Sequence, residues 1–272
     1  MMETRNLVNI DNKLAQSSYT MSLAEQRLIY ILLSKIKPTE YLIKMTVDEV
    51  LASPLSLKEL EASKSRKKTF GEVVDSVTLH TLSVREYSEF CGVRLDNARQ
   101  ELLDASDTLF NRYIHIKHED GKSFIKFRWV SSIRFDATED TVSLRWSVDI
   151  LPYITQLTEY FTKLRLNDLL ELQSTYSWKL YILLKSHKGE NNFKKEVTIS
   201  VEDLIFELAI PDSCKDFKML NSRILQKATS ELKKKALPDL KMTLNKKGKK
   251  VSSVSWHGVP TTRFMSELVK GS

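Results

Sequence analysis

The sequence predicts an α+β, mainly helical chain in which one structural plan is written twice, and three observations carry that expectation. The tetrad Tyr-Ile-Leu-Leu stands at residues 30–33 within "RLIYILLSKI" and again, 151 residues on, at 181–184 within "WKLYILLKSH". A second match, "TLSVREYSEFCGV" at 81–93 against "TISVEDLIFELAI" at 198–210, keeps Thr, Ser and Val in register. Each copy then runs through a helix-patterned segment into two alternating stretches joined at a glycine, "YIHIKHEDGKSFIKFRW" around Gly121 and "LKMTLNKKGKKVSSVSW" around Gly248.

Local chemistry assigns each element. Ser22-Leu23-Ala24-Glu25 is a capping box, and Leu28, Ile31, Leu32 and Lys35 follow at helical spacing; the second copy has Trp178, Tyr181, Ile182 and Lys185 at the same spacing. Ser83 with Glu86, and Ser200 with the shorter Asp203, start a short helix after a strand-like segment. Ser88 and Gly92 supply the small residue and turn of a helix-turn-helix, and Pro211 marks the second turn. The following helices bury Leu95, Ala98, Leu102, Ala105 and Leu109 in one copy, and Phe217, Leu220, Ile224, Leu225, Ala228 and Leu232 in the other. Alternating runs around glycine read as β-hairpins. Helix, strand, helix, turn, helix, hairpin is the plan of a winged helix, so the chain reads as two tandem winged-helix domains. The first occupies 1–140, with an insertion near 38–78 that adds a strand and a helix around Ser56–Ala62; the second occupies 141–272. Between them, "TVSLRWSVDILPYITQLTEYFTKLRLNDLLEL" reads as a strand, a break at Pro152 and an amphipathic helix, a structured connector.

The bulk numbers narrow the function classes. Seven Gly and six Pro in 272 residues favour long helices over a turn-rich sandwich. No stretch approaches the roughly 18 apolar residues of a membrane span, and "MMETRNLVNIDNKLAQ" lacks the apolar core of a signal peptide. Cys91 and Cys214 stand alone, which fits a reducing cytoplasm. The net charge of +7 is uneven: residues 213–272 carry 14 Lys/Arg against 4 Asp/Glu, and the rest is slightly acidic. A basic final quarter points to a polyanionic partner, against the blander reading of a solvated lysine-rich surface. The run Lys64–Lys68, "KSRKK", reads as an exposed surface segment.

Chemistry beyond binding finds little support. Gly121-Lys122-Ser123 ends like a phosphate-binding loop, but Ile116 occupies the place of its first glycine and the segment reads as a hairpin. His115 and His118, three apart on a strand, face opposite sides and cannot share a metal there. His80, His187 and His257 lack partners at ligand spacing. No nucleophile–base arrangement stands out, so no enzyme, cofactor or metal is expected.

Several segments in order resemble a known family, the iteron-binding replication initiator (Rep) proteins of theta-replicating plasmids. These are "NKLAQSSYTMSLAEQRLIYILLSKI", "VDILPYITQLTEYFTKLRL", "TYSWKLYILLKSHK" and "DFKMLNSRILQKATSEL" followed by a basic wing, and they span about Asn9 to His257. The long insertion departs from the family pattern. The resemblance implies double-stranded DNA as partner, bound at direct repeats (iterons) of a plasmid origin. It also implies opening of an adjacent A·T-rich segment, recruitment of the host initiator and replicative helicase, and a monomer–dimer equilibrium in which dimers repress the protein's own gene. The alternative reading is a dedicated winged-helix transcriptional repressor, and an adaptor for protein contacts is disfavoured by Arg223 and the lysine wing.

Within that frame the polar face of the second recognition helix carries the base-reading chemistry: Lys218, Asn221, Ser222, Arg223, Gln226 and Lys227. Arg can bond guanine O6 and N7 bidentately, and Asn or Gln can pair with adenine N6 and N7. Lys246, Lys247, Lys249 and Lys250 cluster on the wing, suited to phosphates. In the first domain Arg94, Asn97, Arg99 and Gln100 are the corresponding candidates, with Asp96 read as a helix cap or a partner of cytosine N4. The first wing, placed at "HEDGK", carries Glu119 and Asp120 and is expected to avoid DNA. Two recognition helices on one DNA face would lie about 10 base pairs apart.

Overall fold

The structure is a computed structural model describing residues 7–36, 75, 78–118, 120, 122–155, 157, 161–190 and 196–260. The strand and helix expected around Ser56–Ala62 and the basic run Lys64–Lys68 lie outside the described residues. The chain divides into two compact units. The first comprises Thr20–Glu159, and the second Met1–Tyr19 together with Tyr160–Ser272.

In the first unit α2 (Leu23–Lys35) opens on Ser22, whose hydroxyl accepts from the Glu25 backbone N–H at 3.2 Å while the Ser22 N–H donates to the Glu25 carboxylate at 2.5 Å. Every residue from Glu25 to Leu33 is buried, so this helix is wrapped on all sides rather than on one stripe. Glu25 is buried and held by Arg112 at 2.8 Å and by the Thr108 hydroxyl at 2.5 Å. Strand β2 (Leu79–Ser83) leads through a second reciprocal capping box, Ser83 with Glu86, into α3 (Val84–Cys91). Gly92 ends α3 at φ +63, and the Ser88 hydroxyl donates to the Val93 carbonyl at 2.6 Å, fixing the turn. Helix α4 (Leu95–Leu109) buries Ala98, Leu102, Ala105 and Leu109 as expected, but Leu95 is 52% exposed at its first turn.

Strands β3 (Tyr113–Lys117) and β4 (Phe124–Arg128) form a two-stranded hairpin of their own. The wing is the next hairpin, β5 (Val130–Asp136) and β6 (Thr141–Trp146), because β2 pairs with β6 and the sheet order is β2-β6-β5. This corrects the expected first wing at "HEDGK": that hairpin exists, but it is an addition before the wing. It also moves the boundary expected between 140 and 141, since β6 is the central strand of the first unit's sheet.

The second unit begins with β1 (Leu7–Asp11) and α1 (Asn12–Ala15), which sequence reading had assigned to the first domain. Strand β1 pairs antiparallel with β7 (Phe161–Arg165), Leu7 opposite Arg165. The connector therefore contains a strand where an amphipathic helix was expected. Pro152 does not break it either: it lies in the first turn of the short α5 (Leu151–Thr155), where its missing N–H is no loss. After α6 (Leu166–Leu170), α7 (Thr175–Glu190) carries the second Tyr-Ile-Leu-Leu, and every residue from Trp178 to Leu184 is buried.

Leu28 of α2 corresponds by repeat to Lys179 of α7, and the two environments differ. Lys179 is fully enclosed; its ammonium donates to the Tyr19 carbonyl at 3.0 Å and the Ser17 carbonyl at 3.4 Å, 3.9 Å from the Tyr19 ring. Burial pulls its pKa down to about 7, with the Glu207 carboxylate opposing that shift. The lysine thus anchors the N-terminal segment onto α7. Strand β8 (Glu196–Ser200), α8 (Val201–Glu207), the long helix α9 (Phe217–Met219, Leu220–Leu225 and Gln226–Lys235 in unbroken succession), β9 (Lys241–Lys247) and β10 (Lys250–His257) complete the unit. The order β8-β10-β9 repeats β2-β6-β5 strand for strand. Trp146 and Trp256 close the two sheets equivalently: each is buried, donating its indole N–H at 3.1 Å, to His80 in the first unit and to Thr229 in the second.

Candidate nucleic-acid interface

Helix α9 starts at Asp216, whose side chain accepts from the Lys218 and Met219 backbone N–H groups at 3.0 and 3.3 Å. Its middle six residues, Leu220–Leu225, have π-helical bonding. The buried side is Leu220, Ile224, Leu225, Ala228, Thr229 and Leu232. The exposed residues recur in pairs every four positions: Lys218 with Met219, Ser222 with Arg223, Gln226 with Lys227. Five of the six candidates from this helix are therefore brought together on one solvent face. Ser222 spends its hydrogen on the Lys218 carbonyl at 2.8 Å and keeps its acceptor. Asn221 is half-buried with its Oδ1 unpartnered, at the edge of the face rather than in it.

Lys246, Lys247, Lys249 and Lys250 are all exposed around the two-residue turn Gly248–Lys249, where Gly248 has φ +65. Among the described residues none of the four, nor Arg223, is ion-paired. Gly258, just beyond β10, admits no side chain: a Cβ there would meet the Asp239 carbonyl at 2.3 Å, so the wing's return is fixed by backbone contact. The polar face expected to end at Lys227 continues through Ser230, Glu231, Lys234 and Lys235, which line a shallow cleft with Ser222, Gln226 and Lys227; the Glu231 carboxylate accepts from the Gln173 backbone N–H. The same four-residue spacing would have found them.

The equivalent surface of the first unit is differently committed. Arg99 is ion-paired with Asp140 at the wing tip, and its guanidinium lies 5.4 Å from the Phe135 ring centre. Gln100 donates to Asp104 at 2.8 Å. Arg94 and Asn97 stay exposed, Arg94 3.6 Å from Asp96. Asp96 does not cap the helix: the cap residue is Arg94, with no side-chain hydrogen bond, and Asp96 sits in the first turn. The true wing tip carries Asp136, Glu139 and Asp140. Backbone N–H groups of Glu139 and Thr138, followed by Arg134, hold the Asp136 carboxyl below its ordinary pKa. An acidic first wing is thus retained, on other residues than those expected; Glu119 and Gly121 lie outside the described residues. Among the described residues no cluster of His, Cys, Asp and Glu is arranged for a metal, and no helix is long and apolar enough to cross a membrane.

Two family models match the chain, "Initiator Replication protein, WH1" over residues 57–185 and "Initiator Rep protein, WH2" over 200–257. The chain belongs to the initiator replication protein family. The WH2 match runs from the residue that caps α8 to the end of β10 and so contains both α9 and the lysine wing. Among relatives of the family, a replication initiation protein of Escherichia coli is 26% identical over 170 residues, covering 62% of this chain and 52% of that protein. The PI protein of Escherichia coli is 33% identical over 143 residues, covering 47% of this chain and 46% of that one. The chain spans about half the length of these two relatives. A crystal structure of Pi initiator protein in complex with iteron DNA superposes with a TM-score of 0.65 at 21% identity, covering 93% of this chain and 96% of that one, and shows the same fold.

Proposed function

We propose that this chain is a plasmid replication initiator that binds repeated origin sequences as duplex DNA, without catalysing a reaction of its own. The observation that carries this reading is the second unit's exposed face on α9, with Arg223 free of any carboxylate, beside a wing of four unpaired lysines. Membership of the initiator family and the fold shared with an iteron-bound initiator support it. Helix α9 enters a major groove, where Arg223 reads a guanine edge and Gln226 and Ser222 bond neighbouring bases. The wing lysines hold phosphates and set the helix's register. The first unit adds weaker contacts through Arg94 and Asn97. Opening of the origin, recruitment of host initiator and helicase, repression of its own gene as a dimer and residence in the cytoplasm belong to the same proposal.

A selection from random duplex DNA, with Arg223→Ala in parallel and the mass of the complex recorded, tests it. One chain on a site roughly two helical turns long, degraded by the substitution, is the expected result. Enrichment of only a palindrome bound by two chains would favour a repressor, and no enriched motif at all would defeat sequence-specific binding.

A further inference from the structure

The solvent face of α9 holds one side chain to which hydrogen bonding by Arg223 and its neighbours gives no task. Met219 is 37% exposed, and among the described residues of α9 it is the one large apolar side chain left so. The helix buries its apolar side through Leu220, Ile224, Leu225 and Leu232. Met219 lies off that side, in a row with Ser222 and Arg223, three and four positions on. Its place is fixed by the turn it belongs to. Asp216 accepts from the Lys218 and Met219 backbone N–H groups at 3.0 and 3.3 Å, and the Ser222 hydroxyl donates to the Lys218 carbonyl at 2.8 Å. The first unit puts a polar residue at the same step. Helix α4 is entered at Arg94 and its third residue is the exposed Asn97, whereas the third residue after Asp216 is Met219.

A single exposed apolar side chain on a protein surface is ordinary. One in the first turn of a groove-reading helix stands elsewhere, because that turn meets base edges. Resting on the duplex-binding reading above, we propose that Met219 selects thymine through its C5 methyl group. Thymine alone among the four bases offers an apolar group in the major groove. Against adenine, cytosine or guanine the thioether covers a donor or acceptor that loses water and gains no comparable partner. Asn97, at the equivalent step of the first unit, carries the donor and acceptor that suit adenine, so the exchange of Asn for Met changes the base preferred. The position of the thymine follows from the helix. Met219 lies one turn before Arg223, about 5.4 Å along the axis, and base pairs are stacked about 3.4 Å apart. The methyl group it meets is therefore within about two base pairs of the guanine that Arg223 reads. Unbranched and flexible, Met follows a methyl group without demanding one geometry, which leaves the register to Arg223 and the wing lysines.

The test uses the full chain and the duplex obtained by selection, labelled with fluorescein and read by anisotropy. Each thymine is replaced in turn by uracil, which keeps the base pair and removes only the methyl group. One replacement, close to the pair whose preference Arg223→Ala relaxes, weakens binding by the parent about fourfold, the scale of one methyl group returned to water. Met219→Ala binds the thymine and uracil duplexes equally, and its melting temperature is unchanged, as at an exposed position. Cytosine at the same place weakens the parent further, and 5-methylcytosine recovers part of that loss in the parent but none in Met219→Ala. The inference is overturned if no uracil replacement alters binding by the parent, or if Met219→Ala still distinguishes thymine from uracil. A chain that selects no duplex overturns the duplex-binding reading and this inference with it. A selected duplex indifferent to uracil overturns this inference alone.

Discussion

The two units share a sheet order and a helix order, yet they handle charge at the recognition surface in opposite ways. In the second unit, Arg223 and four wing lysines are left without carboxylate partners among the described residues. In the first, the wing tip is acidic and turns back on its own recognition helix, where Asp140 takes Arg99. The frame is the same; what differs is whether the cations are spent inside the protein. Fold similarity alone would assign both units the same task, and the pairing of the arginines separates them.

Removing the second unit's wing charge is the strongest way to break that contrast. Replacing Lys246, Lys247, Lys249 and Lys250 together with Ala lowers the slope of log K against log salt by about 3.6, and duplex affinity near physiological salt falls by a factor on the order of hundreds. A salt titration of the parent and the variant checks it, and an unchanged slope would mean that the wing does not touch phosphate. In the first unit the largest effect is on stability. Glu25→Ala leaves Arg112 without its partner and removes half of a capping box, costing about 3 kcal/mol in denaturant unfolding. Arg223→Ala follows, losing about 1–3 kcal/mol of binding and relaxing selectivity at one base; uniform weakening across all sequences would make Arg223 a phosphate contact instead.

Lys179 against Leu28 offers a pH test of the same comparison. Folded, Lys179 releases its proton near pH 7, against an ordinary lysine value of 10.5. Below about pH 7 both states hold the proton and burial of the charge is a fixed cost. Between there and about 10.5 the unfolded chain binds a proton that the folded chain does not, so stability rises with pH. Melting temperature followed from pH 7 to above 9 should rise, and Lys179→Met should flatten the rise. The smallest effect is expected from Asp140→Asn, which keeps a residue tolerant of φ +48 and releases Arg99. Duplex affinity increases by less than about threefold, the scale of one exposed ion pair.

What the sequence made legible was local. Capping boxes at Ser22 and Ser83, the turn at Gly92 and most of the buried stripe of α9 are settled within four or five residues and stand as read, except that Phe217, expected on the stripe, is only half-buried at the helix's first turn. The first wing was misplaced because two hairpins of similar patterning follow each other, and only the pairing of β2 with β6, Leu79 opposite Arg145, decides between them. The N-terminal strand was misassigned for the same reason, its partner lying far along the chain. At the candidate interface, residue types marked the lysine wing and Arg223 as cationic, but no spacing in the sequence announces that Arg99 meets Asp140 across a wing.

The pairing of β1 with β7 has a consequence for how the protein is made. The first unit lies in the chain between these two strands, so β1 must wait for its partner until all of that unit has been translated. Loop length itself is a mild obstacle, each doubling costing only about 0.6 kcal/mol in closure entropy. The order of events is the stronger constraint, because domains form as units while the chain emerges. All residues of the first unit have been made before β7 begins, whereas the second unit still lacks the partner of β1 at that point. A chain cut short at the junction carries an unpaired strand and neither α9 nor the lysine wing, so the proposed DNA-reading surface exists only on a chain whose synthesis has passed β10.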